Sequence, residues 1–491
     1  MCSRILGYIR DVLIADRFGA STVSDAFFAA WRIPNTLKEL LGEGALTGAF
    51  IPIFTEELHT KGKEDAWILA SLVFNGLLFI SLVITLLGII LAPIIVVILA
   101  PGFVGKDVFS LTVTLTRIMF PFTIFICLST LVMGILNCCR HFALPALAPA
   151  ALNLCLIGSI FFLCPLFTDQ PILGLSIGFL SGGLIQLLLQ IPGLISKKME
   201  YRFIFNLFHP VVKKVLLLMG PRALGSAVTQ FNLTISNLLA SLLIPGSISA
   251  LFYSNGLVQL PLALFGVAIG TVLFPTMSKQ VAESNILELK KSISWGLRMV
   301  ILTSLPATIG LMVLGKPIIQ LLFQHGNFDA ADTNITYLAL FFYSVGLLGI
   351  SGLTVVVPAF YAQHDTWTPV KVGMITVVVN IIFGLLLMRP LAQGGLTLAI
   401  SISSFFNLAL LLAILRRKIG AIEDRRILKS LFQSLAASFI MGAFCRYIVT
   451  TELSLLLQVI IGVCGGLIIL ILACKVLKVV EIDSIWKLIL R

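Results

Sequence analysis

The chain has 491 residues, of which 58% are hydrophobic and 11% charged, with a mean hydropathy of +1.07. Soluble domains run at about 45–50% apolar and about 25% charged, so a water-soluble fold of this composition lacks the polar surface to cover itself. The net charge of +12 would suggest a nucleic-acid partner in a soluble protein. Here the cations fall between apolar blocks, so they report membrane topology and contact with anionic headgroups, and nucleic acid is excluded.

Residues 68–100, 174–195 and 455–474 carry no charge at all. Each block exceeds or approaches the roughly 20 apolar residues that a helix needs to cross a core about 30 Å thick. The blocks do not alternate with a period of two, which favours helices over a barrel. The predicted class is an all-α integral membrane protein of about fourteen transmembrane helices. The spans fall at 3–18, 25–52, 67–99, 110–136, 145–166, 171–195, 214–243, 248–276, 292–323, 335–362, 369–389, 395–415, 429–449 and 455–474. With both termini cytoplasmic, the cytoplasmic side carries Lys61, Lys63, Arg140, Lys197, Lys198, Lys290, Lys291, Arg416, Arg417, Lys418, Arg425 and Arg426 among others. The opposite side carries only Arg17, Lys106 and Arg389. That asymmetry follows the positive-inside rule and requires an even number of spans.

Spans 1 and 2 are far more polar than the rest. Within 43 residues lie Arg4, Arg10, Asp11, Asp16, Arg17, Asp25, Arg32, Lys38, Glu39 and Glu43. Residues seven apart share a helical stripe, which pairs Arg4 with Asp11 and sets Asp25, Arg32 and Glu39 on one face. A charge at the bilayer centre costs roughly 2.5–3.5 kcal/mol on insertion scales. Such a group must pair, reach an interface or line water. Structural ion pairing is one reading. A hydrated, basic-rimmed chamber for an anionic group is the other, since cations with several donors suit phosphate. The nine cysteines and five histidines have no metal-type spacing, so neither a metal nor a cofactor is expected. No cleavable signal peptide is read at the start.

An internal repeat recurs at about 224 residues. The segment ending Gly-Ala-Phe-Ile-Pro52 resembles the one ending Thr-Val-Leu-Phe-Pro275, Ala100-Pro-Gly-Phe103 falls opposite His325-Gly-Asn-Phe328, and Arg140 to Pro145 falls opposite His364 to Pro369. It separates a first lobe, 1–200, from a second, 201–418, with both starting on the same side as parallel repeats do. Spans 13 and 14, in 419–491, have no counterpart and look appended. Two pseudo-symmetric six-helix lobes around a central cavity are transporter architecture rather than an enzyme's. The Gly44-x-x-x-Gly48 and Gly266-x-x-x-Gly270 spacings allow close backbone approach, and Pro34, Pro52, Pro261 and Pro275 interrupt spans 2 and 8.

These residues carry a family likeness. Ser3-Arg-Ile-Leu-Gly-Tyr-Ile-Arg-Asp11, Asp25-Ala-Phe, Arg32-Ile-Pro-Asn35, Glu43-Gly-Ala-Leu-Thr-Gly-Ala-Phe-Ile-Pro52, Gly266-Val-Ala-Ile-Gly-Thr-Val-Leu-Phe-Pro275 and Thr368-Pro-Val-Lys371 resemble the signature of the MurJ (MviN) lipid II flippases. The resemblance implies membership of the multidrug/oligosaccharidyl-lipid/polysaccharide exporter superfamily. It implies movement of undecaprenyl-diphosphate-linked peptidoglycan precursor from the inner to the outer leaflet of the bacterial cytoplasmic membrane by alternating access. The implied partners are lipid II, membrane lipids and cell-wall synthesis proteins. By the same likeness Ser3, Arg4, Arg10, Asp11, Asp25 and Glu43 line the cavity, with Arg32 and Lys38 beside them, and spans 13 and 14 form a groove for the lipid tail. Lys38 stands where the family usually has Arg, and Asn255-Gly256 where it has an Asp-Arg pair, so Arg222 in span 7 is expected as the substitute cation. A sodium site described for some members is incomplete, with Asn380 present and Gly384 where a carboxylate belongs. A flippase for another lipid-linked saccharide is the nearest alternative. A multidrug exporter of the superfamily is weaker, because a basic cavity repels cationic drugs. A membrane enzyme acting on polyprenyl-linked sugars lacks the paired carboxylates it would need.

Overall fold

The computed structural model describes residues 2–40, 46–204, 206 and 209–482, and among them there is no β-strand. The helices are, in chain order, α1 Cys2–Phe18, α2 Thr22–Leu37, α3 Thr47–Thr60, α4 Lys63–Ile90, α5 Ala92–Leu99, α6 Asp107–Met119, α7 Phe122–Cys138, α8 Ala143–Phe162, α9 Pro171–Leu188, α10 Ile191–Ser196 and α11 Pro210–Ser241. They continue as α12 Ser247–Pro261, α13 Ala268–Ala282, α14 Ile286–Phe323, α15 Ala330–Val345, α16 Leu347–Ala362, α17 Trp367–Ile419, α18 Asp424–Val449 and α19 Leu455–Val476.

Local chemistry sets the breaks. α1 stops at Gly19, whose φ of 63° gives the left-handed turn that glycine adopts without cost, and its N–H returns to the Ala15 carbonyl. α2 starts on a capping box in which the Ser21 hydroxyl accepts from the Ser24 N–H and the Ser24 hydroxyl accepts from the Ser21 N–H. Pro261 lacks an N–H, and the six residues Leu262–Val267 that join α12 to α13 wind as a π-helix. α17 runs 53 residues but is broken at Ala392 (φ 47°, ψ −129°), after Pro390, so it holds two of the expected spans. A Cβ on Gly395 would lie 2.1 Å from the Leu387 carbonyl oxygen, which explains the glycine at this fold-back.

Among the described residues, nine helical stretches are long and apolar enough to cross a bilayer, or ten when α15 and α16, bent by 42° to each other, count as one. The fourteen expected spans are reached because α17 supplies two, and because α1, the α2–α3 stretch and α11 coincide with the three most polar ones. Leucines, isoleucines, valines and phenylalanines stand exposed along these helices, among them Ile90, Phe162, Val272 and Val476 at 69–78%. In water such a surface would aggregate; in a bilayer it meets acyl chains.

Two compact units make up the chain, Met1–Ile248 and Ser249–Arg491. In the first, Phe50 and Phe54 of α3, Trp67 and Leu69 of α4 and Leu131 and Ile135 of α7 form a buried core. Its last long helix, α11, is tied in where the Ser241 hydroxyl accepts from the Gly102 N–H at 3.2 Å. In the second unit, α13, α14, α16 and α17 bury Met277, Ile293, Val355, Phe360 and Leu411 together.

Candidate substrate-binding site

The charged first helix is organised around Arg10. Its Nε and Nη2 donate to Asp11 Oδ1 at 2.9 and 2.7 Å, and its Nη1 donates to Asn153 Oδ1 of α8 at 2.8 Å. The guanidinium carbon stands 4.8 Å from the centre of the Trp31 ring of α2. Asn153 completes the chain by donating from Nδ2 to the Ser3 carbonyl at 2.9 Å and to the Ser3 hydroxyl at 3.4 Å. Ser3, Arg10, Asp11, Asn153 and Trp31 thus form one network across α1, α8 and α2. Trp31 is fixed in turn by Phe27, Phe28 and Phe179, whose rings lie 5.4–6.0 Å away. The Arg10 and Asp11 side chains keep 12% exposure each, so the pair is shielded yet not sealed.

This arrangement does two things chemically. It offsets the desolvation of an arginine within a span, and it holds the guanidinium plane from several directions. Arginine has five N–H donors, of which the three bonds use three. A fork held in this way is prepared for a second anion at little further entropy cost.

The other expected residues fall in different surroundings. Arg4 is exposed on α1, one turn and a half before Arg10. Asp25 is buried at 3% and its Oδ2 accepts from the Gly246 N–H at 2.7 Å, which ties the start of α2 to the turn after α11. Arg32 donates from Nη2 to Gln230 Oε1 of α11 at 3.2 Å. It also borders an apolar cavity of about 400 Å³ whose wall includes Leu37, Leu87, Ile95, Phe120 and Phe231. Lys38 is half-buried in the π-turn that follows α2. Asn255 lies in the second unit, where its Oδ1 accepts from the Tyr343 hydroxyl at 2.9 Å. Beside it, a Cβ on Gly256 would meet nothing within 4 Å. Glu43 and the Arg222 side chain lie outside the described residues, as do Gly44 and the Gly48 side chain. No group of three or more His, Cys, Asp or Glu suited to a metal occurs among the described residues.

Two participants were missed from sequence. Asn153 is a single amide in an apolar helix, and its partner Arg10 is 143 residues away. Its one signal was being the sole strongly polar side chain of span 5. Trp31 reads as a core aromatic, and only its neighbour Arg32 hinted otherwise.

The second unit holds a larger apolar groove of about 520 Å³. Leu302, Leu311 and Leu314 of α14, Met441 of α18 and Gly466 and Leu470 of α19 line it. α19 lies close because its glycines remove bulk: a Cβ on Gly462 would sit 2.8 Å from Leu314, and one on Gly466 3.0 Å from the Cys445 sulfur.

With this geometry in hand, similarity to known proteins is informative. The family profile described as "Lipid II flippase MurJ" matches residues 14–464. The lipid II flippase MurJ of Burkholderia cenocepacia is 36% identical over 423 residues, covering 85% of this chain and 82% of that protein. A probable lipid II flippase MurJ of Vibrio cholerae is 37% identical over 422 residues, covering 84% and 80%. A solved structure of a lipid II flippase MurJ in an inward closed conformation superposes with a TM-score of 0.81 at 29% identity, covering 97% of this chain and 98% of that one. An inward-facing multidrug MATE transporter of the MOP superfamily gives 0.72 at 15% identity, covering 86% and 96%, and shares the fold alone.

Proposed function

Because the chain belongs to the lipid II flippase MurJ family, we propose that it carries lipid II, the undecaprenyl-diphosphate-linked peptidoglycan precursor, from the inner to the outer leaflet of the bacterial cytoplasmic membrane. It acts as a transporter and performs no bond chemistry. The observation that carries the site is the Arg10 network: a shielded guanidinium, oriented by Asp11, Asn153 and Trp31, with N–H donors beyond those three bonds.

On this reading the diphosphate meets Arg10, with Arg4 and Lys38 adding positive charge nearby and Ser3 offering a hydroxyl. Arg222 is the residue proposed to supply the cation that Gly256 does not, whereas Asp25 and Arg32 serve first to tie α2 to α11 and the turn after it. Residues 1–200 and 201–418 act as lobes that open to each side in turn, and 419–491 provides the tail groove, whose apolar wall of α14, α18 and α19 suits a prenyl chain. Substrate drives the exchange only through unequal affinity for the two states. Both termini are cytoplasmic, as the distribution of Lys and Arg favours. Cell-wall synthesis proteins on the far side would consume the product.

The test is replacement of a bacterium's own essential flippase by this chain, with outer-leaflet lipid II measured. Growth with normal outer-leaflet lipid II is expected for the unaltered chain, and loss of both for Arg10→Ala at equal membrane abundance. Failure of the well-inserted unaltered chain contradicts the function; full activity of Arg10→Ala contradicts the site. Full activity of Arg222→Ala, with Arg10→Ala inactive, removes Arg222 from the chamber.

A further inference from the structure

After α19 the chain turns back on itself. Lys478 adopts a left-handed conformation with φ 54°. The Val479 N–H returns to the Cys474 carbonyl at 2.9 Å and the Lys478 N–H to the Lys475 carbonyl at 3.1 Å, the paired bonds of a Schellman turn. Gln433 of α18 secures it by donating to the Leu477 carbonyl at 2.7 Å. The turn delivers Val479 and Ile482 into a buried cluster with Leu302, Ala437, Ala473 and Cys474. Between them Glu481, 3% exposed, accepts from Arg298 of α14 at 2.5 Å.

A shielded ion pair is expensive in desolvation and is weak evidence for stability, so its presence here points to positioning. What it positions is visible: Ile482 is part of the wall of the groove between α14, α18 and α19. Gly462 faces Leu314, whereas Cys474 clusters with Leu302, so α14 and α19 run antiparallel along it. Ile482 therefore stands at the Leu302 end. From there the α14 wall extends to Ile318, about 24 Å at 1.5 Å per residue.

We propose that residues 477–482 are the end stop of this groove: Ile482 closes it, the Glu481–Arg298 pair holds Ile482 in place, and together they set the length of prenyl chain the groove accepts. The proposal rests on the lipid II reading and on the tail lying in this groove.

The experiment uses the full chain in detergent and photoreactive prenyl diphosphates of graded chain length, with labelling of α19 read by mass spectrometry. Labelling of the unaltered protein rises with chain length and then levels off. Ile482→Trp, which leaves the ion pair intact, moves the plateau to shorter chains by a prenyl unit or more. Ile482→Gly and Glu481→Ala move it to longer ones, and Arg298→Glu combined with Glu481→Arg restores it. A profile for Ile482→Trp that superposes on that of the unaltered protein overturns the end stop and leaves the flippase reading standing. Absence of α19 labelling in the unaltered protein overturns the groove assignment together with its stop, and lipid II flipping by the same preparation shows separately whether the flippase reading holds.

Discussion

At Arg10, three bonds and an aromatic face fix a guanidinium that would otherwise have a long, mobile side chain. Arg10→Lys keeps the charge but loses the planar fork, and a hydrogen bond to a charged group is worth about 1.5–3 kcal/mol. Lipid II affinity is therefore expected to fall roughly ten- to a hundredfold by that estimate, measured as binding of a fluorescent lipid II to the purified protein. Asp25 belongs to the fold before it belongs to any ligand. Asp25→Ala strands the buried Gly246 N–H and is expected to cost about 1–3 kcal/mol, seen as a lower unfolding midpoint in detergent. At this scale the sequence was readable wherever charge sits in a span, because the cost of insertion makes each such residue conspicuous. Asn153 and Trp31 escaped because an amide and an indole are tolerated in apolar helices, so neither announces its partner.

Among the elements, span positions were legible from hydropathy, since about 20 apolar residues have few alternatives to a helix in lipid. Interruptions were legible only in part. Pro261 marked the irregular winding of span 8, yet a π-helix rather than a simple kink follows it. The separation of α4 from α5 at Leu91 carries no sequence punctuation except Pro93. The two glycines of Gly266-x-x-x-Gly270 prove unequal. A Cβ on Gly270 would lie 2.3 Å from the Thr354 backbone carbonyl, whereas one on Gly266 would meet the Ser351 side chain at 3.3 Å. Gly270→Ala is expected to destabilise by about 1–3 kcal/mol and Gly266→Ala by less, compared by thermal unfolding. The turn between α16 and α17 carries a pH response. Burial would raise the Asp365 carboxyl, but the N–H and hydroxyl of Thr368 and the ammonium of Lys418 outweigh it and hold the group below its usual range. A carboxyl held low stabilises the fold above its unfolded pKa of about 3.9, and the contribution is lost as pH falls through the lower, folded value. Protection of 363–368 against hydrogen exchange, taken relative to the intrinsic rate at each pH, is expected to fall on acidification through that range, and Asp365→Asn to abolish the difference.

For the molecule as a whole, composition alone placed the chain in a bilayer, and the repeat near 224 residues led to the expectation of two related lobes. What composition could not give was substrate, because apolar spans are common to carriers of every kind. That came from the motifs of spans 1, 2 and 8 and from similarity running along residues 14–464. The same fold in a MATE transporter at 15% identity shows how little architecture alone decides. The feature we propose as discriminating is the Arg10 network near the start of the chain. Its direct test is reconstitution into liposomes with lipid II in one leaflet, and following its arrival in the other with an enzyme confined to that side. The account predicts transfer by the unaltered chain, near-background transfer by Arg10→Ala, and partial transfer by Arg10→Lys. Equal rates for all three would show that Arg10 does not hold the diphosphate and would contradict the account.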